Sequence, residues 1–262
     1  MASLAEPRAS GIRDDGFFFG AAIAMTAIVV SGFSLHLALG RSTFGVPWPV
    51  HVHAVLFFAW TFFYLLQNAL VATGSVRLHR RLGWAALAIV PAMLVVGTGM
   101  TVASVRNGTV PFFFTPAYFL VLNPLSLLVF AALVGAAIRL RRATAWHRRL
   151  MFCAMALLLG PAFGRLLPLP LTIPWAGLTA FAGITLFPIA GMVADGRRTG
   201  KVHPAWFWGF GAIVGFQIVS EVAGRSAPAA ALARAVSTGA PGESIDPLAY
   251  PAPPAPALIA ER

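Results

Sequence analysis

Between Asp15 and Asp195 the chain contains no aspartate or glutamate. Over that distance it cannot build paired-carboxylate catalysis, an acidic proton relay or a hard-cation site made of carboxylates. The same stretch is strongly apolar. The 262-residue chain as a whole is 58% hydrophobic and 10% charged, whereas a soluble domain carries about 25% charged residues. So much apolar surface does not fit one water-soluble core, and a bilayer is its natural solvent. A crossing helix needs about 20 mostly apolar residues. The sequence offers seven such stretches, at roughly 17–38, 51–73, 83–105, 118–139, 149–167, 173–194 and 205–224. Strand-type alternation is absent, which argues against a β-barrel. The predicted fold class is all-α, a polytopic membrane protein built as a seven-transmembrane-helix bundle over residues 17–225. Residues 1–16 read as a cytoplasmic N-terminal arm. Residues 226–262 read as a disordered Ala/Pro-rich tail.

The net charge of +11 first suggests nucleic acid, but the placement of the charges points elsewhere. With the N-terminus inside, the inner segments carry Arg8, Arg13, Arg77, Arg80, Arg81, Arg139, Arg141, Arg142, Arg148, Arg149, Arg197, Arg198 and Lys201. The outer segments keep only Arg41, Arg106, Arg165, Arg225, Arg234 and Arg262. This asymmetry follows the positive-inside rule. It predicts a multi-pass protein of a bacterial inner membrane, with a periplasmic C-terminal tail. The basic loops then face anionic lipid headgroups, and no nucleic-acid partner is expected. The first span is too long for a signal-peptide core and has no clean small-residue cleavage site, so it reads as uncleaved. The lone cysteine, Cys153, permits no intramolecular disulfide.

Several familiar chemistries are missing. The only lysine, Lys201, lies in a loop, so no mid-membrane Schiff base is available. No phosphate loop, HExxH or GxSxG occurs. The six histidines are the main candidates, and they sort by side. His36 ends the first span, and His51 and His53 open the second, all at the outer side. His79, His147 and His203 open later spans at the inner side. On a helix, His51 and His53 point about 160° apart. The His53 face continues through Trp60, Tyr64 and Gln67, and polar side chains in lipid turn toward the bundle interior. His53 is therefore expected to face inward and His51 to be a bystander. Two imidazoles on different helices suit six-coordinate haem b, with His36 and His53 as the outer iron ligands. A small non-haem metal site using His36, His51 and His53 is the alternative. At the inner side, two of His79, His147 and His203 could hold a second haem or metal. Equally, each reads as a plain helix-start residue. Trp60 sits deep enough to pack on a flat cofactor or simply on a neighbouring helix.

Two charges lie in apolar sequence at similar outer depth, Arg165 and Glu221. They read as an intramembrane ion pair or, with Gln217 one turn before Glu221, as the lining of a pocket for an anionic group. Proline kinks are expected near Pro91, Pro124, Pro161 and Pro188. The GxxxG at 211–215, "GAIVG", reads as ordinary helix packing. "LHRRLGW" (78–84), "WHRRLMF" (146–152) and the weaker "KVHPAWFWG" (201–209) form a repeat, hinting at hairpins packed side by side.

The run "HAVLFFAWTFFYLLQNALVATGSVRLHRRLGW", with "HRRLMFCAMALLLGPAFGR" and "GKVHPAWFWG", resembles a family of bacterial multi-helix inner-membrane proteins of unassigned activity. The likeness spans about residues 17–210. That family is loosely similar to transmembrane haem-b cytochromes of the ascorbate/ferric-reductase type. The resemblance implies haem held between histidine pairs, electron transfer, and a quinone or another redox molecule as exchange partner. The rival expectation is a non-catalytic membrane protein or small-solute carrier, its pocket lined by Arg165, Glu221 and Gln217. Whether the protein is an enzyme stays open at this point, as does its oligomeric state.

Overall fold

The computed structural model describes residues 8–253, with side chains described from residue 15 onward. The described residues form helices and loops, with no strand among them. In chain order the helices are α1 (Arg8–Ala38), α2 (Trp48–Ala72), α3 (Val76–Leu82), α4 (Ala86–Arg106), α5 (Pro116–Arg139), α6 (Thr144–Leu157), α7 (Gly160–Leu166), α8 (Ala176–Thr199), α9 (Pro204–Gly224) and α10 (Ala227–Ser237). A single 3-10 turn joins α3 to α4, and the two run on as one apolar span over Val76–Arg106. Six helices are long and apolar enough to cross a membrane. The pair α6 and α7 passes the same test only when taken together, and it is bent by 42° at their junction.

Pro161 accounts for that bend. It has no N–H to give the carbonyl of Leu157, and its ring clashes with that carbonyl. The chain crosses the break on tighter i→i+3 bonds, Leu158 to Met155 and Leu159 to Ala156, both 3.1 Å. Pro91, Pro124 and Pro188, by contrast, sit inside helices that continue through them.

The bundle is wrapped around α6. This helix packs on α5, α9, α8 and α1, and Phe152 to Leu157 are buried without interruption. A helix that is apolar all round belongs inside a bundle, and "MFCAMALL" is such a sequence. Phe18 of α1, Phe152 of α6 and Trp206 of α9 meet in one aromatic cluster, with Phe152 edge-on to Trp206 at 5.0 Å. Glycines set the closest approaches. A Cβ on Gly32 of α1 would lie 2.9 Å from the carbonyl oxygen of Ala162 on α7. Gly211 and Gly215 behave differently, because nothing lies within 4 Å of a Cβ on either. The GxxxG expected to pack helices therefore makes no close contact within the chain, and Gly215 lines a groove opposite Leu125 and Val129 of α5.

The ends of the chain also depart from expectation. Half of the supposed N-terminal arm is helical, since α1 begins at Arg8; residues 1–7 lie outside the described residues. The supposed disordered tail is ordered as far as residue 253. Ala229 and Ala233 of α10 close over Val105, Val110, Ala117 and Leu120. The backbone N–H of Ala117 donates to the Pro247 carbonyl at 3.0 Å, and Arg106 donates to the Val236 carbonyl at 3.0 Å. Alanines four apart make a narrow apolar stripe that composition alone conceals. The remainder of the tail, 254–262, lies outside the described residues.

Candidate functional site

At the end of the bundle where α6 begins, "HRR" sends its side chains in different directions. Arg149 turns into the bundle and meets Asp195 of α8 in a two-pronged pair, both bonds 2.8 Å, with the two side chains 5% and 2% exposed. The same carboxylate accepts from the Trp206 indole at 2.8 Å and from the His203 backbone N–H at 3.3 Å. His203 uses its own Nδ1 to accept from the Ala205 N–H at 3.1 Å, which caps α9. Burial, then the Arg149 charge, pull the His203 pKa below its ordinary 6.5 against the opposing Asp195. A neutral His203 is the form that can accept this bond. It is a helix cap, not a free ligand.

The other two inner histidines come together. The rings of His79 on α3 and His147 on α6 lie 6.2 Å apart, at an interplanar angle of 78°. His147 is held by its Nδ1, 2.9 Å from the carbonyl of Ala137 on α5. An N–H on Nδ1 leaves Nε2 as a lone-pair donor. The carbonyl of Gln67 lies against the His79 ring, and the His79 Nδ1 is buried with no partner. Both side-chain atoms of the Gln67 amide are buried and unpartnered as well. This end of the bundle therefore collects two imidazoles and an amide with unused polar atoms, where buried polar groups are normally satisfied. Among the described residues no group of three His, Cys, Asp or Glu gathers as a metal cluster.

His36 and His53, at the opposite end of the bundle, make no such ring pair. Phe33 of α1 packs edge-on against Phe58 of α2, 5.2 Å apart. Toward the same end of these helices stand His36, three residues beyond Phe33, and His53, five residues before Phe58. Arg165, on α7, lies over the Phe33 ring at 4.0 Å and within electrostatic reach of both imidazoles. His53 stacks on Phe57 at 4.3 Å, and its Nδ1 is buried without a partner. His51 lies beside Trp48 instead, 6.3 Å between ring centres. The expected inward stripe on α2 is present, with Trp60, Tyr64 and Gln67 all buried. Trp60 is part of the core, edge-on to Phe130 at 5.1 Å.

The anticipated Arg165–Glu221 pair is not formed. Glu221 is taken by Arg225, four residues on along the same face of α9, at 2.8 Å. Tyr118 of α5 and Gln217 each donate to the other carboxylate oxygen at 2.8 Å. Burial lowers the Arg225 pKa, but the Glu221 carboxylate outweighs it and holds the guanidinium above its ordinary value. Tyr118 and Arg225 were the partners that went unnoticed in the sequence. The i,i+4 spacing of Glu221 and Arg225 was the signal available for one of them. Arg165 donates instead to the Pro161 carbonyl in its own helix, at 2.9 Å. No protein-family model, curated protein or solved structure matches the chain.

Proposed function

We propose that this is an integral inner-membrane protein of seven spans, the bent α6–α7 pair serving as one, and that it carries electrons at a b-type haem held by His79 and His147. The basic loops support an orientation with the N-terminus in the cytoplasm and the C-terminal tail in the periplasm. On that orientation the histidine pair lies at the cytoplasmic side.

The observation that carries the reading is the 6.2 Å between the two rings. With a metal–nitrogen bond of about 2 Å on each side, two imidazoles facing one ion from opposite directions would have ring centres about 6 Å apart. The residues around the pair fit the role of ligand support. The Ala137 carbonyl fixes the His147 ring and its tautomer, as carbonyls do for metal-bound histidines. The Gln67 carbonyl lies against the His79 ring, whose Nδ1 keeps no hydrogen-bond partner. A bound haem iron would supply one-electron chemistry. The surrounding apolar helices would exclude water, and a quinone or redox protein would exchange the electron. The outer histidines are weaker candidates for iron, because the Arg165 cation stands within reach of both.

The test is optical. Protein purified in mild detergent, with haem supplied during expression, is expected to show a reduced-minus-oxidised α-band and a Soret shift. His79→Ala and His147→Ala should each abolish the band, while His36→Ala and His53→Ala should retain it. Wild-type protein without any α-band sinks the reading.

A further inference from the structure

Arg165 lacks the counter-ion that a desolvated guanidinium needs. One of its nitrogens is spent on the Pro161 carbonyl, its face lies on Phe33, and its Nε is buried with no hydrogen-bond partner. No carboxylate among the described residues pairs with it. Nor can the neighbouring elements provide one, since residues 16–194 contain no Asp or Glu. Glu221, the nearest expectation, is saturated by Arg225, Tyr118 and Gln217. Arg165 is half-buried at a span end, with its Nε buried and no counter-charge from the chain; a guanidinium so placed gains from a paired anion. An anion that completes this site comes from outside the chain.

What stands beside Arg165 fits that role. His36 and His53 both lie within its electrostatic reach, and the His53 Nδ1 is buried and unused. A neutral imidazole presents one N–H, so the pair can add two donors to the guanidinium fork. Nothing there repels an anion. The site also lies where headgroups lie. Arg165 closes α7, and the loops on this end expose Phe44, Trp48 and Leu171, each at least three-quarters accessible. Large apolar and aromatic side chains at a span end sit at the membrane interface.

We propose that Arg165, His53 and His36 form an outer-end binding site for a phosphate oxyanion, supplied by an anionic lipid headgroup or as free phosphate. The guanidinium gives the charge and a two-pronged contact. The imidazoles give additional N–H donors, and Phe33 holds the guanidinium plane. This site is separate from the His79–His147 pair and does not depend on haem.

Thermal midpoints measured without added haem test it, in an uncharged maltoside detergent and phosphate-free buffer. Two probes are titrated separately, phosphatidylglycerol and inorganic phosphate. The wild-type midpoint should rise saturably by several degrees with at least one of them. A rise with phosphatidylglycerol alone assigns the site to a lipid headgroup; a rise with inorganic phosphate assigns it to a free oxyanion. Arg165→Gln should abolish the response. It should also raise the midpoint of the anion-free protein, because it removes an unpaired charge. His53→Ala should weaken the response roughly tenfold, the worth of one hydrogen bond to a charged group. No response to either probe in the wild type overturns the proposal. So does a response that Arg165→Gln leaves intact. A lower anion-free midpoint in Arg165→Gln would mark the arginine as a structural residue and also overturn it.

Discussion

Where an interior offers few carboxylates to many guanidiniums, local geometry decides which arginine is matched. Asp195 is the clearest case. It binds Arg149 twice and also holds Trp206 and the start of α9. Asp195→Asn leaves Arg149 buried without its counter-charge, at a cost of about 3–5 kcal/mol. The denaturation midpoint in detergent reads that loss, and adding Arg149→Met to the same protein should recover part of it. His203 gives a pH signature. Its folded pKa lies below the ordinary 6.5, so the unfolded chain binds the proton more readily. The cap's contribution is therefore complete above about pH 6.5 and disappears as pH falls through the lower folded value. A stability-versus-pH curve should show that acid-side loss in the wild type and a shallower one in His203→Ala. At this scale the sequence was partly legible. Helix periodicity correctly turned Trp60, Tyr64 and Gln67 inward. It could not say which cation Glu221 would meet, because that depends on how α7 and α9 are rotated. The nearer partner, Arg225, was already visible at i+4.

The elements were legible where apolar length alone defines them. Six long helices follow directly from runs of about 20 apolar residues. The α6–α7 break was legible only as a kink, since the sequence shows Pro161 but not the angle it produces. The α10 helix was hidden by its composition. Small residues also divide by role in a way that motifs do not announce. The GxxxG on α9 makes no close contact, whereas the isolated Gly32 is a point of backbone contact between α1 and α7. Gly32→Ala should destabilise the fold by about 1–3 kcal/mol, because a backbone carbonyl cannot move aside as a side chain can. Gly211→Ala, facing open space, should be neutral or slightly stabilising, by no more than about 1 kcal/mol. Parallel unfolding curves of the two variants make the comparison.

Across the whole molecule, charge separates the two ends. Most arginines cluster at the end holding Arg149 and His79, while the opposite end keeps a few, of which Arg225 holds a carboxylate and Arg165 does not. This polarity was readable from the sequence because it depends only on which loop each residue occupies. The pairing of His79 with His147 was not, because three histidines shared that end and only packing selects two. Seven spans would place the two ends of the chain on opposite sides of the membrane. An alkaline phosphatase fused after residue 253 should then be active and a green fluorescent protein dark. The reverse pattern would show that α6 and α7 re-enter the membrane instead of crossing it.

The Arg149–Asp195 contact joins positions 46 residues apart, and that separation has a consequence during synthesis. The ribosome delivers α6 well before it delivers the carboxylate that neutralises it. A nascent chain stopped short of Asp195 holds a helix meant for the centre of the bundle, with a guanidinium at its base and no mate. In such a chain a cysteine introduced at the start of α6 should stay open to a membrane-impermeant thiol reagent, and extension past α8 should protect it. The innermost helix thus becomes the one whose place in the bilayer is secured late, by a helix that follows it.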